Sequence, residues 1–127
     1  YENGKGQRFL VYGFRAESQP RNSGMYWSYG RGAQLGREIP WLCGKELPAK
    51  CEGHPFLYAR VNEDEKSVAA AYFNCAVDGL DEGVITFARD MKNVRVIGGK
   101  GEQTGARTVK ILDVRSFGYV CVEAEYC

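Results

Sequence analysis

The sequence predicts an α+β domain built on a mainly antiparallel sheet, with one main helix and an irregular N-terminal half. Three observations carry that expectation. Short β-branched and aromatic runs recur through the second half of the chain, separated by turn residues. One segment among them, residues 62–73, has a helical apolar spacing. Residues 25–54 are rich in glycine and proline and show no sustained period. Strands that follow one another with one helix between them belong to the α+β class. The 127 residues suit a single domain over 1–127. A hydrophobic content of 44% with 26% charged residues is the composition of a chain with a packed core, not of a disordered one.

Residues 7–14 (Gln-Arg-Phe-Leu-Val-Tyr-Gly-Phe) read as a first strand. Residues 18–24 are turn chemistry. Residues 25–54 read as irregular, with room for one short helix, pinned by Cys43 and Cys51. Residues 55–61 are a short strand candidate. Asn62 can cap a helix, the acids Glu63, Asp64 and Glu65 suit its first turn, and Ala69, Ala70 and Ala71 propagate it. Val68, Ala71, Tyr72 and Cys75 would share its apolar face. Strands follow at 84–88, 94–97, 109–114 and 117–123, with Gly98-Gly99-Lys100-Gly101 as a hairpin loop.

Seventeen basic residues stand against 16 acidic ones, for a net charge of +1. That balance speaks against a nucleic-acid partner, whose binding draws on basic excess. No run approaches the roughly 20 apolar residues of a membrane span. The chain has a single histidine, His54, and its five cysteines, Cys43, Cys51, Cys75, Cys121 and Cys127, form no C-x-x-C pair. Tetrahedral zinc wants four such ligands, usually in close pairs, so no metal is expected. Cysteines at this density suit an oxidising compartment and a secreted chain, and a monomer is expected. The favoured bridges are Cys43–Cys51 as a loop staple, and Cys75 with either Cys121 or Cys127 as a long-range tie. The start at Tyr1 without Met reads as a processed mature form or a trimmed chain.

Several constellations have both a chemical and a plain reading. The 98–102 stretch is glycine-rich and carries Lys100, but it lacks the Walker spacing and a following helix. His54 has no nucleophile elbow to serve and reads as a surface or capping residue. Glu123 and Glu125, two apart on a strand, would share a face, where a solvated edge is the plain reading. Tyr26, Trp27, Tyr29 and Arg31 lie within seven residues and could stack on a sugar or base and hold an anion, or form a tucked-in loop.

Phe14-Arg15-Ala16-Glu17-Ser18-Gln19-Pro20, after a hydrophobic strand, resembles the opening of the ADP-ribosyltransferase A-subunits of the cholera, heat-labile enterotoxin and pertussis type. That family opens with a strand and then Tyr-Arg-x-Asp-Ser-Arg-Pro. By this resemblance Arg15 is the arginine that helps hold the NAD phosphates, a role suited to a guanidinium fork. Later landmarks follow in similar order over nearly the whole chain: Phe56 to Arg60 before the expected helix, Val84 to Ala88 before Asn93, Glu102 to Thr104, and Phe117-Gly118-Tyr119. The departures concern catalysis. Tyr58-Ala59-Arg60 stands where the family has Ser-Thr-Ser, and ungapped counting puts Thr104 in the place of the catalytic glutamate. Threonine carries no charge to set against an oxocarbenium-like centre. A two-residue shift would put Glu102 there instead.

The resemblance implies an ADP-ribosyltransferase-like scaffold that has lost catalysis. It also implies no bound cofactor, and the role of an effector exported by a plant-pathogenic fungus. Such an effector would act by binding a host protein, and it would be an avirulence protein if a plant immune receptor recognises it. One alternative is an active transferase in which Arg15 holds NAD, Tyr58 stacks on nicotinamide and Glu102 is catalytic. Another is a secreted glycan or small-ligand module using Tyr26, Trp27 and Tyr29.

Overall fold

The structure, a computed structural model, describes residues 1–12, 29–53 and 56–127. The chain divides into two compact units, Tyr1–Glu46 and Leu47–Cys127. Among the described residues there are one helix and eight strands, so the α+β class with antiparallel sheets is observed.

The first unit holds helix α1, Tyr29–Cys43, and a short ribbon at the N-terminus. Asn3 turns that ribbon, its side-chain oxygen accepting the amides of Lys5 and Gln7 at 3.0 Å each. Glu2 and Arg8 form a bridge, and Tyr1 stacks on Phe9 with ring centroids 5.0 Å apart. Of the strand expected over residues 7–14, the described part, 7–12, pairs only at Arg8. Helix α1 is longer than the short helix expected there. Its glycines and Pro40 are poor helix formers, and side-chain bridges offset them. Arg31 donates to Gln34 at 2.5 Å and Gln34 to Glu38 at 2.7 Å, at the i,i+3 and i,i+4 spacings that meet on a helix surface. Tyr12 also donates to Glu38, and these two hydrogen bonds hold the Glu38 carboxyl below its ordinary pKa.

The second unit has two four-stranded antiparallel sheets packed face to face. The strands are β1 (Ala49–Glu52), β2 (Leu57–Glu63), β3 (Ser67–Asn74), β4 (Leu80–Phe87), β5 (Met91–Ile97), β6 (Lys100–Gln103), β7 (Thr108–Val114) and β8 (Tyr119–Tyr126). One sheet runs β1-β4-β7-β6 and the other β2-β3-β8-β5. Alternate residues of the central strands fill the space between them. Val68, Ala70 and Tyr72 come from β3, and Val120, Val122 and Ala124 from β8. Ile85 and Phe87 of β4 and Val109 and Ile111 of β7 face them. Such a period of two is what a half-buried strand requires.

Residues 62–73 form a β-hairpin and not the expected helix. The same Asp64 that suited a helix N-terminus accepts the amides of Lys66 and Ser67 at 2.8 and 2.7 Å, which closes a tight turn. Strand β3 then pairs on both sides, with β2 and β8, and these ladders override the helix propensity of its alanines. Residues 98–101, expected as a hairpin loop, carry the chain from one sheet to the other: β5 pairs with β8, whereas Lys100 and Gly101 belong to β6 and pair with β7. Strands β2, β4, β5, β7 and β8 lie within a few residues of the strands expected at 55–61, 84–88, 94–97, 109–114 and 117–123, whereas β1 forms inside the stretch expected to be irregular.

Tyr72 is fully buried and spans the core. It starts on β3, and its hydroxyl donates to the Glu52 carbonyl of β1 at 3.2 Å. Gly83 on β4 makes room for the ring, because a Cβ there would lie 2.6 Å from the Tyr72 hydroxyl and 3.1 Å from the Glu52 oxygen. Gly83→Ala is therefore expected to destabilise the protein by about 1–3 kcal/mol through overpacking. Tyr72→Phe is expected to cost about 1 kcal/mol for the lost hydrogen bond. Urea titrations of the two single variants and the double variant check this. Strict additivity of the two effects would mean that Gly83 and Tyr72 do not share one packing constraint.

Candidate functional site

The two outer faces of the second unit differ in chemistry. Register places Tyr58 opposite Phe73 and Phe73 opposite Tyr119, so one aromatic residue from each of β2, β3 and β8 forms a row on the outer face. Ring centroids are 5.8 Å apart between Tyr58 and Phe73 and 5.9 Å between Phe73 and Tyr119, with interplanar angles of 49° and 35°. Tyr58 is 55% exposed and Tyr119 54%. Phe117, in the turn before β8, is 72% exposed at a φ of 51°, a left-handed conformation uncommon for a bulky residue.

Beyond the aromatic row the centre of the face is small. Ala71 and Ala69 follow Phe73 along β3, flanked by Arg60 and Asn62 on β2 and by Cys121 and Glu123 on β8. Arg60 is exposed and has no hydrogen bond, ion pair or ring contact among the described residues. The far end is polar and its side chains are engaged. Arg95 binds Glu123 at 2.6 Å, and Asn93 donates to Glu125 at 2.9 Å. Asn93 sits at a register shift in β5 with a φ of 51°, a bulge that an asparagine tolerates and that re-aims its side chain. An open pocket of about 510 Å³ lies at this end, lined among others by Asn62, Ser67, Ala69, Asn93, Glu123 and Glu125. The hydrogen bonds from the Lys66 and Ser67 amides hold the nearby Asp64 carboxyl below its ordinary pKa.

The outer face of the β1-β4-β7-β6 sheet is a solvated, charge-paired surface. Lys110 binds Glu82 at 2.7 Å, and the contact raises the lysine's pKa. Lys100 binds Asp113 at 2.8 Å. Glu102 is exposed here and lies opposite Lys110 in the ladder, while its neighbour Gly101 lies opposite the buried Ile111. Tyr58 and Glu102 therefore point away from the core on opposite sheets, and the single cleft expected for an active transferase is not formed by them. Arg15, Tyr26, Trp27 and His54 lie outside the described residues, and Tyr29 and Arg31 begin helix α1. Glu123 and Glu125 do share one face, as their spacing predicts.

All five cysteines are free thiols. The long-range ties expected for Cys75 conflict with strand register. Cys121 lies opposite Ala71, four positions back along β3, roughly 13 Å at 3.3 Å per residue, and Cys127 lies farther still. A disulfide needs Cα atoms within about 7 Å. Nor is the Cys43–Cys51 staple formed. Cys51 packs against the core, and its burial pushes the thiol up to about 12. Cys121 is also raised, by burial first and then by Glu123.

Phe73, Tyr119 and Arg60 did not stand out as a group in the sequence, because three strands and their register bring them together. The available signal was Tyr72-Phe73, adjacent aromatics in an alternating run, where one must face inward and the other outward. Comparison with known proteins finds no matching family model, no matching curated protein and no matching solved structure.

Two predictions follow from the buried protons. Native-state alkylation followed by mass spectrometry should modify the exposed Cys43, Cys75 and Cys127 first and leave Cys51 until the protein unfolds. Early labelling of Cys51 would mean that β1 is not held on the core. Tyr126 is buried and donates to Glu63 at 2.9 Å, and burial first, then that bond, push its phenol up to about 12. Cys51 and Tyr126 ordinarily ionise near 9.0 and 10.0. Both folded-state values are raised, so the native state keeps protons that the unfolded state releases. Stability is then fully present below about pH 9 and declines as pH rises towards about 12. Chemical denaturation at stepped pH measures this, and Tyr126→Phe should flatten the upper part of the decline.

Proposed function

We propose that this chain is a non-enzymatic binding domain that engages a partner protein through the outer face of the β2-β3-β8-β5 sheet. The single observation that carries this reading is the half-exposed row Tyr58–Phe73–Tyr119 beside Arg60, which has no partner among the described residues. Tyrosine and arginine are the residues that anchor protein interfaces, because each offers a large contact area and a polar tip. Each Å² of apolar surface taken from water contributes about 25 cal/mol, so aromatic rings left open are the natural source of docking energy. The charged pairs on the opposite sheet offer no comparable patch.

This reading agrees with a secreted effector that acts on a host protein, the role that the resemblance implies, and a host protein is the partner class we favour. The narrower ADP-ribosyltransferase-like scaffold rests on Arg15 and on the order of the later motifs. An active site built from Tyr58 and Glu102 has less support, since the two residues face opposite ways. A flat glycan platform also has less support, because the three rings are tilted and not coplanar.

Site-specific photo-crosslinking tests the proposal. With a benzophenone side chain at position 58 or 119, incubation with host-tissue extract should yield one discrete protein adduct common to both sites. The same group at position 102 should give none, and Arg60→Glu should reduce the adduct several-fold at unchanged melting temperature. Equal adducts from position 102, or calorimetric NAD binding that disappears in Tyr58→Ala, would overturn the reading.

A further inference from the structure

The partner element that this face accepts can be narrowed by asking which backbone could lie on it; the inference rests on the protein-binding reading above. Strands β3 and β8 are the inner strands of their sheet, each paired on both sides. Their amides and carbonyls are engaged in ladders, so the middle of the face offers almost no free backbone groups. An extended peptide laid there would bury its own N–H and C=O groups without partners, at about 1–3 kcal/mol for each one left unsatisfied. A helix carries its backbone hydrogen bonds internally and meets no such penalty.

The relief of the face suits the same element. Along β3 the side chains Ala71, Ala69 and Ser67 form a low lane. Taller side chains stand on both sides: Tyr58, Arg60 and Asn62 on β2, and Tyr119 and Glu123 on β8. The flanking strands lie two strand spacings apart, about 9.5 Å, close to the diameter of a helix with its side chains. From Phe73 to Ser67 the lane runs about 20 Å, the length of a helix of about 13 residues.

Charge sets the orientation. Glu123 is already bound by Arg95 and Glu125 by Asn93, whereas Arg60 is exposed without a partner among the described residues. We infer that the face receives an amphipathic α-helix of a partner protein. Its apolar seam lies along Ala71 and Ala69, one end rests against the aromatic row, and an acidic side chain on the β2 flank meets Arg60. The helix would add an α layer to this four-stranded sheet.

The test uses the whole chain and three synthetic peptides of about 14 residues, long enough to cover the lane. The first is a helix with a leucine-alanine seam and glutamates along one flank. The second has lysines in place of those glutamates, and the third carries a central proline that prevents the helix. Binding is followed by NMR, through the methyl signals of Ala69 and Ala71 and the ring signals of Tyr58 and Tyr119. The glutamate helix should shift these signals saturably, with an affinity about 5- to 10-fold above that of the lysine helix. The proline peptide should leave them unmoved, and Arg60→Glu should reverse the order of the two helices. Absent shifts, shifts on the β1-β4-β7-β6 sheet, equal binding of the proline peptide, or an unchanged order in Arg60→Glu would each overturn the helix inference. Adducts at positions 58 and 119 that persist beside such a result would leave the protein-binding reading standing without the helix.

Discussion

The hydroxyl of Tyr72 reaches from one sheet to the carbonyl of Glu52 in the other, and the packing of the second unit is arranged around that reach. A phenol of this length fits only because Gly83 carries no side chain where the ring ends. The hydroxyl cannot be left without a partner at zero exposure, since a buried unpaired polar group costs more than a neutral hydrogen bond returns. Strand β1 therefore has to lie where Glu52 meets it. That position sets Ala49 and Cys51 against the core, and the remaining buried residues of the core are Val, Ile, Ala, Phe and Met, which interlock without polar demands, together with Tyr126, whose hydroxyl donates to Glu63.

With the inner faces committed to this core, the outer faces could diverge. On the β1-β4-β7-β6 sheet Lys100 and Lys110 are each ion-paired, with Asp113 and Glu82, and such pairs keep a surface hydrated at little gain in stability. On the other sheet the same register that buries Val68, Ala70 and Tyr72 turns Ala69, Ala71 and Phe73 outward. Adjacent apolar residues in both phases of a strand read as burial on both sides. Here only the inner side has a sheet against it, and the outer side presents aromatic rings to water.

Much of the sheet was legible from local pattern. β4, β5, β7 and β8 each contain the run of β-branched and aromatic residues that predicts a strand. The hairpin at 62–73 was not legible, because its residues satisfy helix rules locally. Asn62, Glu63, Asp64 and three alanines are good helix chemistry, and only pairing across the turn with β2 and with β8, distant in sequence, decides against it. Helix α1 was hidden for the opposite reason: glycines and Pro40 argue against a helix that Arg31, Gln34 and Glu38 then support by bridging along its surface. The aromatic row depends on registers across three strands, and a one-residue slip of any one of them would turn its ring inward and break the row.

The aromatic end of the face is held by a second buried polar group. Asn74, 1% exposed, closes β3 and donates to the carbonyls of Asp78 and Arg115 at 2.8 and 3.2 Å, while its oxygen accepts the Ala76 amide at 3.0 Å. One side chain thus ties the 75–79 loop and the 115–118 turn to the end of the strand that carries Phe73. The Asn74 amide adds a bond to the Gly118 carbonyl at 2.9 Å, beside Phe117 in its left-handed conformation. Backbone strain of that kind persists only where neighbours over-determine it, and here the neighbours are these hydrogen bonds. Rings presented on a fixed frame lose little conformational freedom when a partner covers them, so more of the buried area appears as affinity. Among the described residues, this framework holds an open row of rings beside Arg60, which has no partner there, and the proposed recognition rests on that arrangement.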